Sequence, residues 1–111
     1  MRAAALSLLL LCSCTAYVAP GAADPILALK GDPVQGQVLF DKNCADCHGK
    51  DGRKRKDVSL PDDAAKDTDA QIIDNILAGP SIMPSFAKKL SAAQIADITA
   101  WLKAGLPANP S

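Results

Sequence analysis

The sequence predicts an all-α fold, a small domain of three main helices joined by two long loops. Each helix is indicated by a start signal followed by apolar residues at helical spacing. No stretch shows the strict alternation of polar and apolar residues that is typical of a strand. The 111 residues leave room for one domain. A body this small, with few aromatic residues, usually needs a disulfide, a metal or a cofactor to complete its core.

The first main helix begins at Asp32-Pro33, because Asp favours the N-cap and Pro the first helical position. It is expected to run into Cys44, while residues 24–31 before it are expected to be extended. Its apolar stripe is expected to comprise Val34, Val38 and Leu39, with Gly36 and Phe40 beside it.

The other two main helices each begin with a capping box, in which a Gln follows Thr68 or Ser91 after three positions. Gly79 is expected to end the second helix and Gly105 the third. The apolar residues at helical spacing are Ile72, Ile73, Ile76 and Leu77 in the second helix and Ile95, Ile98 and Leu102 in the third.

Two segments without a sustained period, residues 49–66 and 81–90, are expected to be the loops. The first is longer than most loops in compact domains, and loops of that length tend to be functional. It contains the basic run Arg53–Lys56, which is either a solvated surface or a docking patch for an acidic redox partner. Over the whole chain the charge is balanced, with 12 basic and 12 acidic residues. Nucleic-acid binding usually requires a strongly basic domain, so we expect none.

The N-terminal residues 1–23 have the features of a secretory signal peptide: a positive start, an apolar run and small residues before Asp24. Cleavage there would leave a domain of residues 24–111, located in the periplasm. Alternatively, Cys14 follows a small residue as in a bacterial lipoprotein signal. Lipidation of Cys14 would anchor the protein on the periplasmic side of the membrane, and only in that case do we expect membrane association.

The segment Cys44-Ala45-Asp46-Cys47-His48 is the Cys-x-x-Cys-His pattern of covalent haem c attachment. Two Cys three positions apart share one face of a helical turn, so each thiol can add to one vinyl group of the haem. His48, the single His of the chain, follows at once and can bind the iron from the same side.

Other uses of these residues fit less well. A thioredoxin-like redox pair expects a βαβ setting, which the sequence does not predict. A structural zinc site expects four ligands, whereas Cys44, Cys47 and His48 are the only Cys and His residues after residue 23. A plain disulfide between Cys44 and Cys47 would close a very small loop and constrain little.

Met83 is the candidate for the second axial ligand of the iron, because it is the one Met after the leader and no second His competes. Alternatively it is a core Met that fills a gap. A Met opposite a His raises the reduction potential of a haem. With both axial positions filled, no position remains for a substrate, which favours an electron carrier over an enzyme.

Together, the motif at residues 44–48 and the segment Met83-Pro84-Ser85-Phe86 resemble the class I cytochromes c, and most the short bacterial and photosynthetic monohaem types such as cytochromes c6 and c553. The similarity extends from Gly31 to Gly105. It implies one covalent haem c and single-electron transfer between exported or membrane-bound redox partner proteins, by a protein expected to be a monomer.

The resemblance also implies roles for other residues. Gly36 and Phe40, spaced by four before Cys44, correspond to the place where the first and last helices of the family cross, and Ile98 and Trp101 match the last-helix positions there. The family also has a Pro whose carbonyl accepts the N–H of the axial His, and Pro61 is the Pro available for that role.

Three other functions remain open at this stage. The chain can be a dedicated haem subunit of an oxidoreductase complex. It can be a haem-based ligand sensor or weak peroxidase, which requires Met83 to leave the iron readily. It can also be a thiol module without haem.

Overall fold

The structure is a computed structural model that describes residues 16–108. All regular elements in this range are helices, which confirms the predicted all-α class. In chain order they are α1 (Asp24–Leu27), α2 (Pro33–Asn43), α3 (Ala45–His48), α4 (Leu60–Lys66), α5 (Asp69–Ala78) and α6 (Ala92–Lys103). None of the helices between residues 16 and 108 is long and apolar enough to cross a membrane.

The three main helices, α2, α5 and α6, begin where their sequence signals predict. The Asp32 side chain accepts a hydrogen bond from the Val34 N–H at 2.9 Å. Both capping boxes are formed, at Thr68 and at Ser91. Gly79 ends α5 in the left-handed region at φ 63°. Local side-chain and backbone preferences therefore account for the ends of these helices.

Residues 24–31 were expected to be extended, but the structure forms the short helix α1 there. The Ala23 carbonyl accepts hydrogen bonds from the N–H groups of Ile26 and Leu27, at 2.9 and 3.0 Å. Ile26 is only 1% exposed and belongs to the core, which α1 enters by packing against α5 and α6. Burial of this one side chain stabilises a turn that its local sequence does not predict.

The expectation of a continuous loop over residues 49–66 was also wrong, because its end forms α4. Asp62 and Asp63 lie in the first turn of α4, where negative charge favours a helix. At the other end, the Lys103 ammonium donates to the carbonyls of Ala64 and Asp67, at 3.0 and 2.8 Å. A cation from a distant helix thus satisfies the C-terminal carbonyls of α4.

The core is organised around a close crossing of α2 and α6. A Cβ atom on Gly36 would lie 2.0 Å from the Asp97 carbonyl oxygen, so only Gly fits at this point. One turn further along α2, the rings of Phe40 and Trp101 pack with centroids 4.8 Å apart. The Trp101 indole N–H is satisfied by the Pro107 carbonyl at 2.8 Å. The crossing therefore combines backbone contact with buried aromatic packing.

Of the expected apolar stripe of α2, only Leu39 packs against the core, where it is partly buried. Val34 and Val38 are both exposed, whereas Gly36 and Phe40 are buried. Two positions along an α-helix correspond to a rotation of about 200°. Val34 and Val38, which lie two positions before and after Gly36, therefore point away from α6. The close approach at Gly36 decides which face is buried, and the hydrophobic valines lie outside the core.

We expect Gly36→Ala to destabilise the protein by at least about 1–3 kcal/mol, the typical cost of overpacking, because the clash is with backbone that cannot rotate away. Val38→Ala on the exposed face of the same helix is the matched control, expected to change the free energy of unfolding by about 0.5 kcal/mol or less. Denaturant unfolding followed by circular dichroism measures both. Equal stability of the two variants would contradict the close crossing.

Candidate cofactor-binding site

One cavity of about 400 Å³ opens between the helices, and four of the five predicted site residues line it. They are Cys44, Cys47, His48 and Met83. Apolar side chains form much of the rest of its wall, namely Phe40, Ile72, Ile76, Ile82, Phe86, Ile98 and Leu102. Its volume lies within the range of about 300–1,000 Å³ that is typical of ligand pockets. The structure thus brings the thiol, imidazole and thioether groups to one apolar space.

The attachment motif is placed by the end of α2. The Cys44 N–H donates to the Phe40 carbonyl at 2.8 Å, which continues the hydrogen-bonding pattern of α2 by one residue. The chain then turns into α3, where the N–H groups of Cys47 and His48 both donate to the Cys44 carbonyl, at 3.3 and 3.0 Å. Both Cys side chains are free thiols, Cys44 buried and Cys47 exposed. This arrangement presents two thiols and an imidazole to the cavity within five residues.

Burial shifts the titration of two of these groups. It raises the pKa of the Cys44 thiol to about 11, with a further contribution from the neighbouring Cys47. It also lowers the pKa of His48 below 6.5, and the positive charge of Arg55 lowers it further. His48 is therefore neutral at pH 7, and the neutral imidazole is the form that binds a metal ion. Its Nδ1 atom is buried and has no hydrogen-bond partner among residues 16–108.

Met83 lies in a loop that is fixed to α5. The Phe86 N–H donates to the Ile76 carbonyl at 3.0 Å, and the Ser85 hydroxyl donates to the Leu77 carbonyl. At the other end of the loop, a Cβ atom on Gly79 would lie 2.4 Å from the Pro84 carbonyl carbon. Gly79 is thus required both by its positive φ and by the close approach of the Met83 loop.

The loop after His48 is held by its own basic residues. The Lys54 N–H donates to the His48 carbonyl at 2.9 Å, and the Lys54 ammonium donates to the Asp46 carbonyl at 2.7 Å. Arg55 pairs with Asp57 at 3.4 Å, and both side chains line the cavity. The pKa of Asp57 is lowered, first by its own backbone N–H and then by Arg55. The Arg53 guanidinium donates to the Ser59 hydroxyl at 3.5 Å. Three of the four residues of the basic run are therefore engaged within the loop.

Sequence reasoning did not identify Arg55 as a residue of the site. It lies among four consecutive basic residues, and nothing in the sequence distinguishes the one that reaches the cavity from its neighbours. Its half-buried guanidinium is suited to pair with a carboxylate group of a bound cofactor.

Pro61, the fifth predicted site residue, lies in the first turn of α4 and not among the residues that line the cavity. Its neighbour Leu60 does line the cavity. The structure has no hydrogen bond between Pro61 and His48, whose Nδ1 atom has no partner in the part of the chain that the structure describes. The role of Pro61 therefore stays a prediction.

These residues fit a covalently attached haem. Two free thiols, an imidazole and a thioether line one largely apolar cavity, as a flat apolar macrocycle with a central iron requires. By contrast, no group of three or more His, Cys, Asp and Glu side chains between residues 16 and 108 is arranged to hold a bare metal ion.

Comparisons with known proteins agree with this fit. The family described as "Cytochrome C oxidase, cbb3-type, subunit III" matches residues 31–102, more than half of the chain. The chain is 33% identical to a cytochrome c-553-like protein of Synechocystis over 79 residues, which cover 70% of this chain and 73% of the relative. It is 32% identical to a cytochrome c6 of Rippkaea orientalis over 88 residues, covering 74% and 78% of the two chains.

A solved structure is similar as well. Cytochrome c6 from the diatom Phaeodactylum tricornutum superposes with a TM-score of 0.57 at 29% identity, covering 68% of this chain and 95% of that one. Family match, sequence relatives and fold all lead to one assignment. The chain therefore belongs to the class I c-type cytochromes, the covalent-haem electron-transfer family that its residues 44–48 predicted.

Proposed function

We propose that this protein is an exported, mobile carrier of single electrons. In this proposal one haem c is attached through Cys44 and Cys47, with His48 and Met83 as the axial ligands of its iron. The observation that carries the proposal is that all four side chains line the same cavity, although Met83 is far from the others in sequence.

The bound haem supplies a one-electron Fe(III)/Fe(II) couple. The chain supplies the rest. Cys44 and Cys47 hold the macrocycle, and His48, neutral at pH 7, offers a nitrogen lone pair to the iron. The Met83 thioether favours the reduced state, and the apolar wall of the cavity acts in the same direction by excluding water. If His48 and Met83 both bind the iron, they would leave no ligand position for a substrate.

Two further residues are proposed to tune the site. Pro61 is the proposed acceptor for His48 Nδ1, which is buried and would otherwise lack a partner. Arg55, which lines the cavity and pairs with Asp57, is the proposed partner of a haem propionate. Both contacts would restrict the orientation of the groups that surround the iron.

Electron exchange is proposed to take place at an apolar rim formed by Ile82, Met83 and Pro84. Ile82 is 77% exposed although it also lines the cavity, so this rim reaches from solvent to the cofactor. Docking there should be weak and brief, as is usual for electron-transfer encounters. The proposed partners are donor and acceptor oxidoreductases in the periplasm, which the protein meets as a monomer.

A second candidate function is a dedicated electron-transfer subunit of a membrane oxidase. It is favoured by the family match, whose description names a subunit of a cytochrome oxidase. The two functions differ in assembly: a mobile carrier elutes from gel filtration of a native extract at its own small size, whereas a subunit elutes with a large complex.

The proposal is tested by a visible spectrum of the protein after export in a host with c-type maturation machinery. We expect sharp bands in the reduced form and a weak far-red band in the oxidised form, since the latter reports Met–iron coordination. The colour should remain with the protein after extraction with acidified acetone, because thioether bonds resist it. A colourless protein would contradict haem attachment altogether.

Met83→Ala is expected to remove the far-red band and to allow carbon monoxide to bind the reduced protein at neutral pH, because the sixth position loses its ligand. The reduction potential should fall, as measured by a redox titration. Ile82→Ala is the matched control, since it truncates the adjacent cavity-lining side chain without removing a donor atom. If the two variants have the same spectrum, Met83 is a core residue and not a ligand.

Acid should detach His48 at a higher pH in Arg55→Glu than in the natural protein. Burial and the Arg55 charge lower the pKa of His48 and so favour the neutral imidazole, the form that can bind the iron. A negative charge at position 55 favours the imidazolium and moves the transition upward. Lys56→Glu, in the same basic run, is the control, expected to have little effect. An acid titration of the visible spectrum compares the variants, and equal shifts would contradict a specific role for Arg55.

A further inference from the structure

Residues 16–23 pack against the body of the protein, although their sequence is typical of the end of a cleaved leader. We call this segment the N-terminal strap. Val18 is 9% exposed and Ala23 is 7% exposed, and both belong to the hydrophobic core. By contrast, Tyr17 is 55% exposed. The strap thus buries selected side chains, as a part of a folded domain does.

The strap also satisfies a backbone group at the start of α6. The Ala16 carbonyl accepts a hydrogen bond from the N–H of Ala92, the first residue of α6, at 2.7 Å. This helix end is buried, since Ser91 is 4% and Ala92 is 5% exposed. The Ser91 capping box satisfies other donors of the first turn but not this one. A buried N–H without a partner would destabilise the protein.

A defined turn shapes the strap. The Ala22 N–H donates to the Ala19 carbonyl at 3.1 Å, which closes a four-residue turn around Pro20 and Gly21. Gly21 has a φ of 83°. A type II turn requires a positive φ at its third position, which Gly adopts easily, and it favours Pro at its second position. The sequence of the strap therefore encodes an ordered reversal of the chain.

The strap continues directly into α1. The Ala23 carbonyl receives the first two hydrogen bonds of α1, from Ile26 and Leu27. Cleavage before Asp24 would remove this acceptor, and with it the buried side chains of Val18 and Ala23. Because α1 has only four residues, it has few other hydrogen bonds to keep Ile26 in the core.

We propose that residues 16–23 remain in the mature protein and that any leader is removed upstream of Ala16. The proposal depends on the proposed export in one respect: it assumes that a leader is removed during export. A processing site before Cys14, of the lipoprotein type, satisfies it, whereas a site before Asp24 does not. The mature fold then includes a strap that closes the buried start of α6.

The test is the intact mass and the N-terminal peptide of the full chain after export in a host with c-type maturation machinery. We expect a mature protein that still contains residues 16–23, and additional mass at Cys14 would identify a lipidated form that also retains them. A mature N-terminus anywhere from Tyr17 to Asp24 would overturn the proposal. The visible spectrum of the same sample is read separately: a coloured protein that begins at Asp24 refutes the strap alone, and a colourless one that retains it refutes only the haem.

Substitution in the purified protein provides a second measurement. Val18→Asp is expected to increase the unfolded fraction in denaturant by at least on the order of tenfold, because it places a charge at a buried position. Tyr17→Asp introduces the same charge at the adjacent exposed position and should change the unfolded fraction by less than about threefold. Equal effects of the two variants would show that the strap is not part of the fold and would overturn the proposal.

Discussion

Helices α2 and α6 cross at Gly36 so closely that the Asp97 carbonyl takes the place of a Cβ atom, and the site depends on this contact. The crossing fixes the axis of α2, whose last turn leads into Cys44 and the attachment motif. It also fixes α6, which contributes Ile98 and Leu102 to the cavity wall. The close approach at Gly36 therefore helps to position both the attachment motif and the part of the cavity wall that α6 provides.

The cavity and the stability of the domain are coupled through its size. The cavity measures about 400 Å³ and its wall is largely apolar, so without a bound group much of this apolar surface would face water. A covalently attached haem would fill this space with apolar surface, so the cofactor would complete the core as well as serve as the redox centre. Small chains that lack a large core commonly rely on such a group.

The main helices and the attachment motif could be predicted from the sequence because each depends on residues within a few positions of one another. The capping boxes, the Asp32-Pro33 start and the motif at residues 44–48 are local in this sense. Helix α1 could not be predicted in this way, since it depends on burial of Ile26 against helices that are distant in sequence. The position of Arg55 at the cavity could not be predicted either, because only the tertiary fold distinguishes Arg55 from the basic residues beside it.

The way in which the Met83 loop is held bears on electron transfer itself. A carrier exchanges electrons quickly when its coordination changes little between oxidation states, so a ligand loop should be fixed before the electron arrives. Here Gly79 packs against the Pro84 backbone, and Phe86 is hydrogen-bonded to Ile76 of α5. Helix α5 also packs against α6, and α6 packs against α2. The Met83 loop and the attachment motif are therefore both held by elements that contact α6. The contacts that pack the Met83 loop against α5 thus also restrict the position of this proposed ligand.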